Sequence, residues 1–182
     1  GQPKQMGLKD ILLSFIKFRE EVVLNRTKFL LNKARDRAHL LCGLLVALKN
    51  IDEVIEIIRS SKDTDSAKLE LCKKNWNASE IETYISMIND PNYQVYEGNY
   101  MLSEAQAKAI LELRLQRLTS LESNKIYTEI NELSKNISEY LSIISDEDKL
   151  KKLINTELDV AINNLNFDRK TTILDHHVDH DD

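Results

Sequence analysis

Between Leu8 and Lys49 the chain holds no proline and a single glycine, Gly43, and its apolar or small side chains recur in steps of three and four. Leu12, Ile16, Arg19, Val23, Thr27, Leu30, Ala34, Ala38, Leu41, Leu45 and Leu48 form one stripe whose spacing averages close to the helical period. The spacing predicts one continuous helix, roughly 60 Å long at about 1.5 Å per residue. A helix of that length needs a partner along most of it, because propensity alone does not hold a helix in water. The pattern supplies one later. Ile126, Ile130, Leu133, Ile137, Leu141 and Ile144 repeat the same steps, and Leu150, Leu153, Ile154, Leu158, Ile162 and Leu165 continue them after the polar SDEDK, where Ser145 or Asp146 caps the last helix.

Shorter helices are predicted between these long ones. NIDEVIEIIRSS begins with Asp52 as N-cap, DTDSAKLELCKKN follows a polar turn, and ASEIETYISMIND begins at Ser79 and stops before Pro91. DPNYQVYEGNY has turn chemistry and reads as a loop or a short hairpin. Two capping boxes then mark helix starts, Ser103 with Gln106 ahead of AILELRLQRL and Thr119 with Glu122 ahead of the returning stripe. With so few breakers and almost no alternating β-branched pattern, the fold class is all-α: a long antiparallel two-helix coiled-coil arm capped by a small globular helical domain. The expected divisions are 1–50 for the outgoing helix, 51–118 for the small domain, 119–168 for the returning helices and 169–182 for a flexible acidic tail.

The outgoing helix carries more than one stripe. Phe18, Val22, Phe29, Leu40 and Leu44 gather on a second side, so a third contact is expected. Near the tip it is made by the small helices or by a second subunit; near the start Phe18 and Val22 meet a domain outside this chain. The cations divide as well. At about 100° per residue, Arg26, Lys33 and Arg37 fall on one flank of the stripe and Lys28 and Arg35 on the other. A DNA-reading helix concentrates its cations on one face, whereas a helical seam is flanked by long charged side chains whose methylenes cover it. Both readings stay open, with Arg26, Lys33 and Arg37 as the candidate DNA-facing flank.

Composition narrows the function classes. The net charge of -5 excludes a surface built wholly to hold nucleic acid and leaves only local basic faces. Cys42 and Cys72 lack metal-ligand spacing and sit in apolar helical contexts, which fits a reducing cytoplasm. No apolar run approaches the roughly 20 residues of a membrane span. The first residues, GQPKQMGLKD, lack an initiating Met, so a piece of a longer polypeptide is expected. No catalytic constellation emerges. His39 stands alone on its helix, the sequence has no phosphate-cradling glycine loop and no nucleophile elbow, and HHVDHDD reads as tail, not as a metal site.

The run FIKFREEVVLNRTKFLLNKARDRAHLLCGLLVALKNIDEVIEIIR, Phe15 to Arg59, resembles the long helix and following tip of the DNA gyrase A family, part of the type IIA topoisomerases. YMLSEAQAKAILELRLQRLTSLESNKI, Tyr100 to Ile126, is similar to a second hallmark of that region, and DRKTTIL to the exit from its breakage-reunion domain. The corresponding polypeptide of topoisomerase IV is the close relative. The resemblance implies a coiled-coil arm and exit-gate (C-gate) dimerisation fragment of an ATP-dependent DNA-supercoiling isomerase. It implies a homodimer through the tip, gyrase B and double-stranded DNA as partners, and no membrane. Candidate interface residues are Leu40, Leu41, Leu44, Leu45, Ile110, Leu113 and Leu115. The nucleophilic tyrosine lies upstream in the family, and none of the six tyrosines here sits in its motif, so no catalytic residue, cofactor site or metal site is expected in this chain and it is inactive alone. Mg2+ and ATP are bound elsewhere in the parent enzyme, and the DNA-wrapping domain follows the tail. The alternative class is an independent helical dimerisation scaffold.

Overall fold

The computed structural model describes residues 5–88, 95–113, 120–165 and 171. The predicted long helix is one element, α1 (Leu8–Lys49). It ends at Asn50, which stands at the junction of α1 and α2 (Ile51–Ser60). Asp52 is therefore inside α2 and not its cap. The Asn50 side-chain amide instead donates back to the Val46 carbonyl at 2.8 Å and across to the Asn77 carbonyl at 3.1 Å. It adds a second bond to a carbonyl that already accepts the Asn50 backbone amide, and it leaves the α2 amides without a side-chain cap.

α3 (Thr64–Lys73) starts on Asp63, whose carboxylate accepts from the Ser66 amide at 2.7 Å. The helix stops at Lys73 because Lys74 turns extended, and Asn75–Asn77 form β1. A 3-10 turn at Ser79–Ile81 runs into α4 (Glu82–Ile88). β2 (Asn99–Met101) pairs antiparallel with β1, setting Trp76 directly opposite Tyr100, both turned inward. The described residues are mostly helical, as expected, and this two-stranded ribbon is the one departure from an all-α fold among them. A tight turn leads into β2, in the segment read as a loop or short hairpin: Tyr96 and Asn99 exchange backbone bonds at 2.9 and 2.8 Å around Glu97 and Gly98, which have φ of 52° and 77°. Two successive positive φ angles make a type I′ turn, the form that matches strand twist, and glycine takes the second at no steric cost.

α5 (Glu104–Glu112) opens on the predicted capping box, with both Ser103 and Gln106 bonds present. It stops at Leu113, which is extended, and the rest of the predicted segment, 114–118, lies outside the described residues. Thr119, and with it the second capping box, lies outside the described residues. α6 (Ser120–Ser145) and α7 (Glu147–Asn164) then run back along α1. Asp146 fixes the break between them by accepting from the Asp148 and Lys149 amides, as one of the two predicted caps.

The core gathers at one end. Leu31, Ala34, Ala38, Leu41, Cys42 and Leu45 of α1 are buried together with Leu71, Trp76, Ile81, Ile85, Tyr100, Ile110, Ile130 and Ile137. A smaller cluster of Val23, Leu150 and Ile154 joins α1 to α7. Toward the start of α1 both predicted stripes are uncovered: Leu12 is 54% exposed and Phe18 62%. Within the core the closest approach is between Gly43 and Gln106, where a Cβ added at Gly43 would lie 2.6 Å from the Gln106 Cβ and Cγ. Gln106 has no room to retreat, because its amide is bonded on several sides. Gly43→Ala gains helix propensity of about 1 kcal/mol but forces overpacking that typically costs about 1–3 kcal/mol. We predict a net loss of stability, read as a lower denaturation midpoint in urea.

Candidate functional site

Two features of the fold bear on function, the buried junction where α5 meets α1 and the charged flanks of α1. At the junction, Gln106 is fully buried. Its Nε2 donates to the His39 carbonyl at 2.7 Å and to the Tyr100 hydroxyl at 2.9 Å, while its Oε1 accepts from the Ser103 amide at 2.9 Å. Ser103 Oγ accepts from the Gln106 amide at 3.2 Å and lies 2.9 Å from His39 Nε2. A buried amide with both ends satisfied fixes one register of α5 on α1, and any slip would leave several polar groups unpaired at once. The capping pair was legible in the sequence, but its use as a tertiary knot was not, since nothing local links Gln106 to His39 or Gly43.

The candidate interface residues divide. Leu41, Leu45 and Ile110 are almost completely buried within the chain's own core, and Leu44 is 9% exposed. Near the tip, Leu44 of the second apolar side of α1 is thus covered within the same chain, one of the two expected ways of covering it. A helical wheel shows that a face needs cover without showing which chain provides it. Leu40 and Leu113 remain half-buried, Leu113 packing on the edge of the core at the end of α5. Leu115 lies outside the described residues.

The basic flank also divides. Arg37 donates to both carboxylate oxygens of Glu129 on α6, at 2.6 and 3.0 Å. That hydrogen bond holds the Arg37 pKa above its ordinary value. Arg26 bonds Glu157 on α7, and Arg19 bonds the other oxygen of the same carboxylate at 2.8 Å. The hydrogen bond from Arg26 lowers the Glu157 pKa below its ordinary 4.5, with Arg19 adding to the effect and partial burial opposing it. The stabilisation from Glu157 is therefore complete above the ordinary glutamate range and is lost as pH falls through the lowered value. Lys33 is exposed and makes no ion pair among the described residues. Arg35 Nε is buried without a hydrogen-bond partner. The partners Glu129 and Glu157 were not apparent from the sequence. The signal for one of them was Arg19, a cation inside an otherwise apolar stripe, which calls for an acid on the facing helix.

The thiols offer no nucleophile. Burial pushes the Cys42 pKa up to about 12, and burial, with Glu104 nearby, also raises that of Cys72. No group of three His, Cys, Asp or Glu side chains able to hold a metal occurs among the described residues. No helix among them is long and apolar enough to cross a membrane.

Comparison with known proteins adds the family. Residues 1–159 match the family model for the A subunits of DNA gyrase/topoisomerase IV. The chain is 46% identical over 183 residues to the DNA gyrase A subunit of Granulibacter bethesdensis, covering 100% of this chain and 20% of that protein. It is 46% identical over 158 residues to that of Rickettsia bellii, covering 87% and 18%, and 40% identical over 188 residues to that of Pseudomonas aeruginosa, covering 98% and 20%. The chain thus spans about a fifth of the length of these relatives. With most of its length matched by the family model and its whole length aligned to a relative at this identity, the chain belongs to the family of DNA gyrase/topoisomerase IV A subunits.

Proposed function

We propose that this chain is the coiled-coil arm and exit-gate dimerisation module of a type II DNA topoisomerase. It is a non-catalytic segment of an enzyme that acts with gyrase B on double-stranded DNA in the cytoplasm. The observation that supports it most is the polarity of the long helical pair. One end of α1 is wrapped by the short helices and the ribbon around a dense core, and the other leaves Leu8, Ile11, Leu12, Leu13 and Phe15 exposed. That distribution suits an arm rooted in a larger body and ending in a self-contained head. The similarity to gyrase A subunits over the same segment favours the same reading. The three relatives named above favour gyrase over topoisomerase IV, while the family model spans both.

Mg2+ and ATP belong to other parts of the parent enzyme in this proposal. The carboxylates of Glu80, Glu129 and Glu157 face Lys49, Arg37 and the Arg19/Arg26 pair, a pattern of dispersed ion pairs that does not fit a magnesium or nucleotide site. The head meets its symmetry mate through the half-buried surface that includes Leu40 and Leu113, with Leu41, Leu44, Leu45 and Ile110 holding the helices beneath it in place. A separable patch on a rigid support suits a gate that closes during cleavage and opens for release.

Light scattering on the chain at tens of micromolar is expected to give a dimer. Leu113→Glu should weaken dimerisation by about 100-fold or more with unchanged helical circular dichroism. Leu44→Glu should unfold the head instead, since it places a charge in the chain's own core. A strictly monomeric parent chain, or a Leu113→Glu variant that dimerises normally, would sink the gate assignment. A second reading, direct duplex contact along the arm, draws on Lys33, which is exposed and outside the ion pairs that join the long helices among the described residues. Binding of a short duplex should then be weak, and Lys33→Ala should lower the slope of log K against log salt by about 1. Absence of binding at low salt removes that reading.

A further inference from the structure

The helix that lies along α1 on the return is interrupted while α1 is not. α6 stops at Ser145 and α7 starts at Glu147, with Asp146 stabilising the break by capping the new helix. The apolar contacts divide near the same level. The large cluster reaches along α1 only as far as Leu31, and the small one consists of Val23, Leu150 and Ile154, edged by Leu24, Ile143, Leu153 and Leu158. Between Val23 and Leu31, on the same buried face, sits Thr27, whose hydroxyl donates to the Val23 carbonyl of its own helix at 2.8 Å. At that level the α1 seam presents a polar residue whose hydroxyl bond stays within α1.

α7 is therefore held to α1 by a short set of contacts. Its two buried side chains, Leu150 and Ile154, are followed one turn later by Glu157, which accepts from Arg19 and Arg26 of α1. Beyond that fork Val160, Ile162 and Leu165 are all more than half exposed, as is Leu12 of α1. Local opening follows the density of buried contacts; α6 also buries two of its described side chains, Ile130 and Ile137, but within a core of more than twenty residues, so α7 opens ahead of it.

We propose that α7 is a clasp that releases from α1 as a unit, hinged at Asp146, and that the Arg19–Glu157–Arg26 fork sets how readily it does so. With the clasp closed, α1 is supported on both sides of Thr27; with it open, the lower part of α1 loses its lateral support while the head stays folded. The side chains of the fork are 31%, 24% and 45% exposed, so ions reach it and screen it, whereas the apolar core of the head does not respond in that way. The clasp is thus an electrostatically tuned stiffness element in the arm. It stands independently of whether the head dimerises.

Hydrogen–deuterium exchange on the full-length polypeptide that carries this chain tests it, comparing potassium chloride at about 0.05 M and about 0.5 M at one pH. Amides of α7 should exchange faster than those of α5 and α6, and the higher salt should speed α7 by roughly threefold to tenfold, the range that two partly exposed ion pairs support, with little change in α5 or the ribbon. Glu157→Gln should speed α7 to a similar degree and abolish its salt response. Leu150→Ala should speed α7 at both salt levels and keep the salt response, which separates loss of the fork from loss of packing. Exchange of α7 at the same rate as α6 overturns the clasp. A salt response in Glu157→Gln equal to that of the parent overturns the role of the fork.

Discussion

The need to cover α1 shapes the rest of this structure. A helix of 42 residues has far more surface than its own hydrogen bonds can justify in water, and each apolar turn along it must find a neighbour in the chain or remain exposed. The remaining polypeptide is arranged to meet that need over the half of α1 that ends at Lys49. α6 covers one side, α5 and the Trp76–Tyr100 ribbon another, and the two directions of burial make this half of α1 the central post of the head. Gln106 fixes the angle of that arrangement, because its amide ties α5 to the α1 backbone at the point where Gly43 lets the helices approach.

Charge does a different task from the one that its abundance in the outgoing helix first indicates. Arg19, Arg26 and Arg37 face acids on the returning helices, so three of the arm's cations act on the pairing of helices and set its antiparallel register. Exposed pairs of this kind add little stability each, but their geometry is specific, and mismatched registers would bring like charges together or leave carboxylates unpaired. The short helices carry exposed ion pairs as well, Lys49–Glu80, Lys68–Glu104 and Lys74–Glu53, but these stand beside a large apolar core, whereas the Glu157 pairs stand beside a small one.

The exposed apolar start of α1 and the exposed end of α7 lie at the same end of the molecule, opposite the head. The break at Asp146 lies between that end and the large core.

The helices were legible in the amino-acid order alone. Steps of three and four, the capping box at Ser103 and Gln106, one internal glycine and the scarcity of proline were enough to place α1, α6 and α7, the start of α5 and the cap of α7 at one of two neighbouring residues, since these depend on local backbone chemistry and helical periodicity. The long motifs also carried the family. Which face each residue meets was settled only by folding. The second apolar side of α1, with Leu44, left open whether the small helices or a second copy of the chain would cover it, because a wheel registers only unmatched apolar area, and the folded chain shows Leu44 buried in its own core. The ribbon of Asn75–Asn77 with Asn99–Met101 was missed because three-residue strands carry almost no period, and their pairing is stabilised by Trp76 and Tyr100 burying against a core assembled from distant segments. Arg19 in the stripe and Arg26 on the flank became one fork for the same reason: Glu157 is more than a hundred residues away along the chain and reaches them only after the antiparallel pairing has formed.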